Sequence, residues 1–126
     1  RMSADPIQIA WAEVAGAFRR LTNLSHDNST THGFWDNNQN VPEKFCLMHS
    51  EISEALEEYR DKHPLTAIRI NMVDACKPEG IPIELADLLI RVFDFCGGYG
   101  INLAEAVKMK IVYNATRAHK HGGKVC

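Results

Sequence analysis

Apolar residues recur at helical spacing in four stretches of the chain, and no stretch alternates at the period of two that a half-buried strand needs. In residues 5–23, Ile7, Trp11, Val14, Phe18 and Leu21 share one face, while Gln8, Glu13, Arg19 and Arg20 face away. Asp5-Pro6 supplies a start signal for this first helix. A second helix is predicted over residues 42–62, ended by His63-Pro64. A third runs from near Pro82 to the double glycine Gly97-Gly98, and a fourth from an Asn102 cap to about His119. Between the first two lies a polar stretch, residues 24–40, which reads as a long loop carrying two histidines and Phe34-Trp35. Residues 65–80 read as a connection with one partial helical turn. The pattern predicts an all-α fold, an antiparallel four-helix bundle-like core, in a single domain spanning 1–126.

The third helix departs from ordinary amphipathicity. Leu85, Leu88, Leu89, Val92, Phe93, Phe95 and Cys96 spread around about two-thirds of its wheel at 100° per residue, which predicts a helix buried on most sides. Its polar remainder is one strip, Glu84, Asp87, Arg91 and Asp94, at spacings of three, four and three. On the second helix, Glu51 and Glu54 lie three apart with Glu58 between them on the wheel, all bordering the arc of Met48, Ile52, Ala55, Leu56 and Tyr59. Should the two helices pack as neighbours, Glu51, Glu54, Glu84 and Asp87 converge. Like charges about 4 Å apart repel by about 4 kcal/mol at an effective dielectric near 20, so such a cluster raises its own pKa values or recruits cations. An all-carboxylate set without histidine suits Mg²⁺, with Mn²⁺ as substitute, rather than zinc or a di-iron pair. On the fourth helix, Lys110, Asn114 and Arg117 recur at four and three, a basic strip able to meet phosphate.

Composition narrows the field without choosing within it. With 126 residues, 45% hydrophobic and 24% charged, the chain has the make-up of a globular domain rather than a disordered one. A net charge of −2 argues against a nucleic-acid polymer as partner, and no apolar run is long enough to cross a membrane. No secretory leader is visible, and the four cysteines are spread without metal-site spacing, so the expected location is cytoplasmic. The near-neutral sum hides a separation: the acidic cluster sits mid-chain, and Lys108, Lys110, Arg117, Lys120 and Lys124 make the end basic.

The segments HSEISEALEE, PIELADLLI and KMKIVYNATR, with the ending from Arg117 to Lys124, resemble the MazG-like all-α nucleoside triphosphate pyrophosphohydrolases over about residues 24–124. The group's Glu-x-x-Glu and Glu-x-x-Asp pairs correspond to Glu51-x-x-Glu54 and Glu84-x-x-Asp87, and its downstream basic-Asn element to Lys110 and Asn114. The resemblance implies that the four carboxylates bind Mg²⁺ and that a (deoxy)nucleoside triphosphate is cleaved between its α and β phosphates. Water attacks, oriented by Glu54 or Glu51, and nucleoside monophosphate and pyrophosphate leave. It further implies phosphate contacts from Lys110, Asn114 and Arg117, and base contacts from His26 and Trp35, where dCTP-hydrolysing relatives carry theirs. Arg91 is expected either on phosphate or in a salt bridge to Asp87, and segment 61–79 near the base. Such proteins are usually homodimers or homotetramers. The competing expectations are a non-catalytic nucleotide-sensing or protein-interaction bundle and, with less support, a redox-metal bundle, which the absence of ligand histidines in the acidic motifs disfavours.

Overall fold

A computed structural model describes residues 10–117 of the chain. The expected Asp5-Pro6 start, Ile7, His119 and the basic residues Lys120 and Lys124 lie outside the described residues. Among the described residues, four helices, α1 (Trp11–Thr31), α2 (Val41–Arg60), α3 (Ile81–Tyr99) and α4 (Leu103–Ala115), make up most of the fold. The one addition is a small antiparallel hairpin, β1 (Arg69–Asn71) and β2 (Lys77–Glu79), inserted between α2 and α3.

α1 runs eight residues beyond the end expected at residue 23, so the anticipated loop shrinks to residues 32–40. Residues 24–31 are weak helix formers, but they contain neither Gly nor Pro, and their continuation is held by tertiary contact. Thr22 and His26 lie against Gly97 of α3 so closely that a Cβ there would come within 2.7 Å of the His26 Cβ. The stop comes at Gly33, in the left-handed region at φ 84°. There the Phe34 N–H donates to Ser29 O and the Gly33 N–H to Thr30 O, the paired bonds of a glycine-ended helix.

α2 opens where Asn40 Oδ1 accepts from the Glu43 N–H, with Pro42 in the first turn. The hairpin corrects the expected helical turn in residues 65–80. Its three-residue strands are too short for alternation to register, and its turn is built by Asn71 Oδ1 accepting from the Val73 and Asp74 N–H groups. Gly80, at φ 135°, then passes so close to the Ala67 carbonyl that no side chain fits.

Gly97-Gly98 is not the end of α3 as expected. Both glycines lie inside the helix, which stops at Gly100 (φ 67°). Their smallness serves packing: His26 lies on Gly97 and the Trp35 ring on Gly98. Asn102 caps α4 as expected, its Oδ1 accepting from the Glu105 N–H, but α4 ends at Ala115.

α3 is the central element, packed against both α1 and α2, while α4 packs on α1. Among the described residues the buried apolar side chains are only Ile81, Phe93, Cys96 and Ala104, with Phe18 meeting Phe93 edge-on at 5.5 Å. The expectation that α3 is buried on most sides therefore fails for a single chain. Leu85, Leu89 and Ile90 stay about half exposed, as do Ile52 and Leu56 of α2, because two flanking helices cannot enclose its girth. No described helix is long and apolar enough to cross a membrane.

Candidate functional site

The seam between α2 and α3 carries the acidic residues. Three-residue spacing puts Glu51 and Glu54 on one side of α2, and Glu84 projects from α3 toward them. Each of the three offers a carboxylate oxygen, and these oxygens lie within 4.8 Å of one another. Glu51 is buried, at 5% exposure, which is rare for a glutamate without a full set of partners. Asp87, one turn further along α3, joins the cluster electrostatically. Burial and then the Glu51 charge raise its pKa, partly offset by Arg91 and Lys77. The Glu84 carboxyl is raised in the same way, by burial first and then by Glu54, Asp87 and Glu51. Three of the four expected carboxylates are thus brought together, and Asp87 lies near enough to feel the charge of Glu51.

Arg91 answers the question the sequence left open in a third way. Its Nε donates to Glu51 Oε2 at 2.7 Å, so it bonds to Glu51 rather than to Asp87. One oxygen of Glu51 is thereby held, and the carboxylate is fixed in orientation. Glu58 is withdrawn from the cluster: it accepts two bonds from Arg69, at 2.8 and 2.9 Å, and one from His63 at 2.6 Å. Those bonds lower its pKa, Arg69 being the largest cause.

The acidic seam opens into a cleft of about 630 Å³ between α1, α2, α3 and the 32–40 loop. Glu51, Asp87 and Arg91 stand on its wall, followed by Asp94, Trp35 and Lys44. Trp35 is held from several sides. Its indole N–H donates to Asp94 Oδ1 at 2.9 Å, and its ring meets His26 at 4.9 Å and Tyr99 at 5.4 Å. The Lys44 ammonium sits 3.9 Å from the ring centroid. His26 donates from Nδ1 to the same Asp94 oxygen at 2.9 Å, which leaves its other ring nitrogen to accept in the neutral form. His26 does not line the cleft; it stands behind Trp35, against Gly97.

Two residues of this wall were missed in sequence. Asp94 belongs to the acidic strip of the third helix, but nothing in the strip distinguishes it as the shared acceptor for His26 and Trp35. Lys44 is one lysine in the first turn of a helix, with no periodic partner. The basic strip behaves otherwise: Lys110 and Asn114 are exposed, Arg117 is part-buried, and none of them lines the cleft of the same chain. Lys110 and Arg117 both lie over the Tyr113 ring, at 4.8 and 5.5 Å. Segment 61–79 does not line the cleft either; it is tied to α2 through Arg69 and Glu58.

The donor set is chemically uniform. Clustered carboxylates, two of them with raised pKa values, suit a hard divalent cation, and the adjoining cleft pairs that acidic end with an indole wall and two cations. Comparison of the chain with models of protein families, with curated proteins and with solved structures finds no match.

Proposed function

We propose that this chain is a Mg²⁺-dependent pyrophosphohydrolase of the MazG-like kind, cleaving (deoxy)nucleoside triphosphates to nucleoside monophosphate and pyrophosphate in cytoplasmic nucleotide housekeeping. The observation that carries the reading is the gathering of Glu51, Glu54 and Glu84 oxygens within 4.8 Å, with Glu51 and Asp87 also on the wall of an aromatic-lined cleft. Glu51, Glu54, Glu84 and Asp87 would hold Mg²⁺, or Mn²⁺ in its place. When bound, the ion supplies positive charge to the phosphates and acidity to water.

The chain's own groups divide the remaining work. Arg91 holds Glu51 in place and sets a positive charge beside the phosphates. Glu54, the most exposed of the Glu51–Glu54–Glu84 trio, is free to orient and deprotonate the attacking water. Trp35 offers its face to the base, held by Asp94 and backed by His26.

Lys110, Asn114 and Arg117 require a second copy if they are to reach phosphate. The half-exposed Ile52, Leu56, Leu85 and Leu89 on α2 and α3 favour such a homodimer or homotetramer, with a four-helix bundle completed around each seam.

The test is incubation with each NTP and dNTP, with Mg²⁺ or with EDTA. Release of pyrophosphate rather than orthophosphate, abolished by EDTA, is the expected result. Absence of metal-dependent turnover for every nucleotide overturns the reading.

A further inference from the structure

Two cations line the cleft, and they are not equivalent. The Nε of Arg91 is committed to Glu51. Lys44 has no carboxylate within ion-pairing distance among the described residues, and its ammonium rests on the Trp35 ring. Its place is electrostatically odd. It lies in the first turn of α2, where the helix end is positive and acidic side chains are the favoured ones, as Glu43 illustrates beside it. A lysine there opposes the local field, and an ammonium on an indole face is held only loosely.

We propose that Lys44 is the residue that takes the polyphosphate part of the ligand, and that the Trp35 face is where its ammonium rests until an anion arrives. Lys44 and Glu51 are seven residues apart on α2, two turns along one face, about 10 Å. Both line the cleft, so the flexible lysine arm swings along the wall between the indole and the acidic seam. A phosphate oxygen is a far stronger partner for an ammonium than a ring face. The exchange does two things at once: it neutralises an incoming anion in a cleft that Glu43, Glu51, Asp87 and Asp94 make acidic, and it bares Trp35 for a flat ring to stack. Arrival of the phosphates thus clears the aromatic wall. This deepens the reading given under Proposed function and rests on it for the ligand's planar half; the anion-binding half stands apart from it.

The sequence has two tryptophans, so Trp11→Phe leaves Trp35 as the sole indole reporter. The probe is inorganic triphosphate, titrated with Mg²⁺ present into that variant while indole emission is followed, and by calorimetry into the unaltered chain. The expected result is a saturable emission change, lost in Lys44→Met together with about tenfold in affinity and part of the salt dependence. Lys44→Arg restores both in large part. Equal affinity and an equal emission change in Lys44→Met overturn the proposal, as does the absence of any saturable binding. Should nucleotides be hydrolysed with the same KM in Lys44→Met, the proposal fails while the hydrolase reading stands. Should no nucleotide be hydrolysed while triphosphate binds through Lys44, the hydrolase reading fails and the anion site stands.

Discussion

α2 carries two groups of glutamates within two turns, and the fold treats them in opposite ways. Glu58 receives three hydrogen bonds, from Arg69 and His63, and its pKa is lowered. Through it Arg69 ties the hairpin to α2, and through Glu79 it joins the two strands to each other, so this group is part of what positions residues 61–79. One turn earlier, Glu51 and Glu54 face Glu84 and Asp87 with a single guanidinium bond among them, and burial and mutual repulsion raise the pKa values of the two α3 carboxylates. Both groups are glutamates on one helix, similarly placed in the sequence pattern. What separates a structural carboxylate from a site carboxylate is whether the chain supplies its counter-charge. The Glu58 group is complete as folded; the seam group is short of positive charge, the shortage that a cation would remedy under the proposed function.

Substitution in the two groups is the sharpest way to break this comparison. Glu84→Gln or Asp87→Asn is expected to lower metal-dependent turnover by at least about a hundredfold, with the helical circular dichroism unchanged. Glu58→Gln is expected to leave turnover within a few-fold of the parent. Equal losses of activity in both groups would erase the distinction.

The next effect runs on stability and reverses the ranking. Arg69→Ala leaves Glu58 with His63 alone and detaches the hairpin from α2, and is expected to lower the melting temperature by about 3 °C. Asp87→Asn in metal-free protein removes a charge the fold repels and is expected to raise it, by about 2 °C. A lowered melting temperature for metal-free Asp87→Asn would falsify the repulsive cluster.

Much of the seam was legible because it depends on spacing alone. Glu51-x-x-Glu54 and Glu84-x-x-Asp87 fix a face on each helix, and the convergence then needs only that α2 and α3 be neighbours, as they are. What was illegible depends on contacts between distant residues. The stretch from Leu24 to Thr31 has loop-like composition but stays helical because His26 finds Gly97 and Asp94. Gly97-Gly98 has the look of a helix end, yet both residues are small because His26 and Trp35 lie on them. The hairpin strands are shorter than any alternation could reveal, and the fate of Glu58 was hidden because Arg69 is eleven residues away in an unassigned segment. The breadth of α3's apolar surface was read as burial; in one chain Leu85, Leu89 and Ile90 are about half exposed.

The smallest expected effect is the most discriminating, because the two groups bend the pH profile of metal-free stability in opposite directions. Glu84 and Asp87 sit above their ordinary values of 4.5 and 3.8. As pH rises, the unfolded chain releases these protons first, and stability falls from the ordinary values up through the raised ones. Glu58 sits below its ordinary 4.5, so its contribution is present above that value and is lost as pH falls through the lowered one. Metal-free protein should therefore show a stability maximum in mild acid, read as melting temperature against pH at constant ionic strength. Glu84→Gln should flatten the limb above the maximum and leave the acid limb alone. Arg69→Ala should do the reverse, since Arg69 is the main cause of the Glu58 shift. Saturating Mg²⁺ should also flatten the upper limb, because a bound cation favours the ionised seam. If Mg²⁺ instead moves the acid limb, the ion is answering to Glu58, and the division of α2 into a completed group and an uncompleted one is wrong.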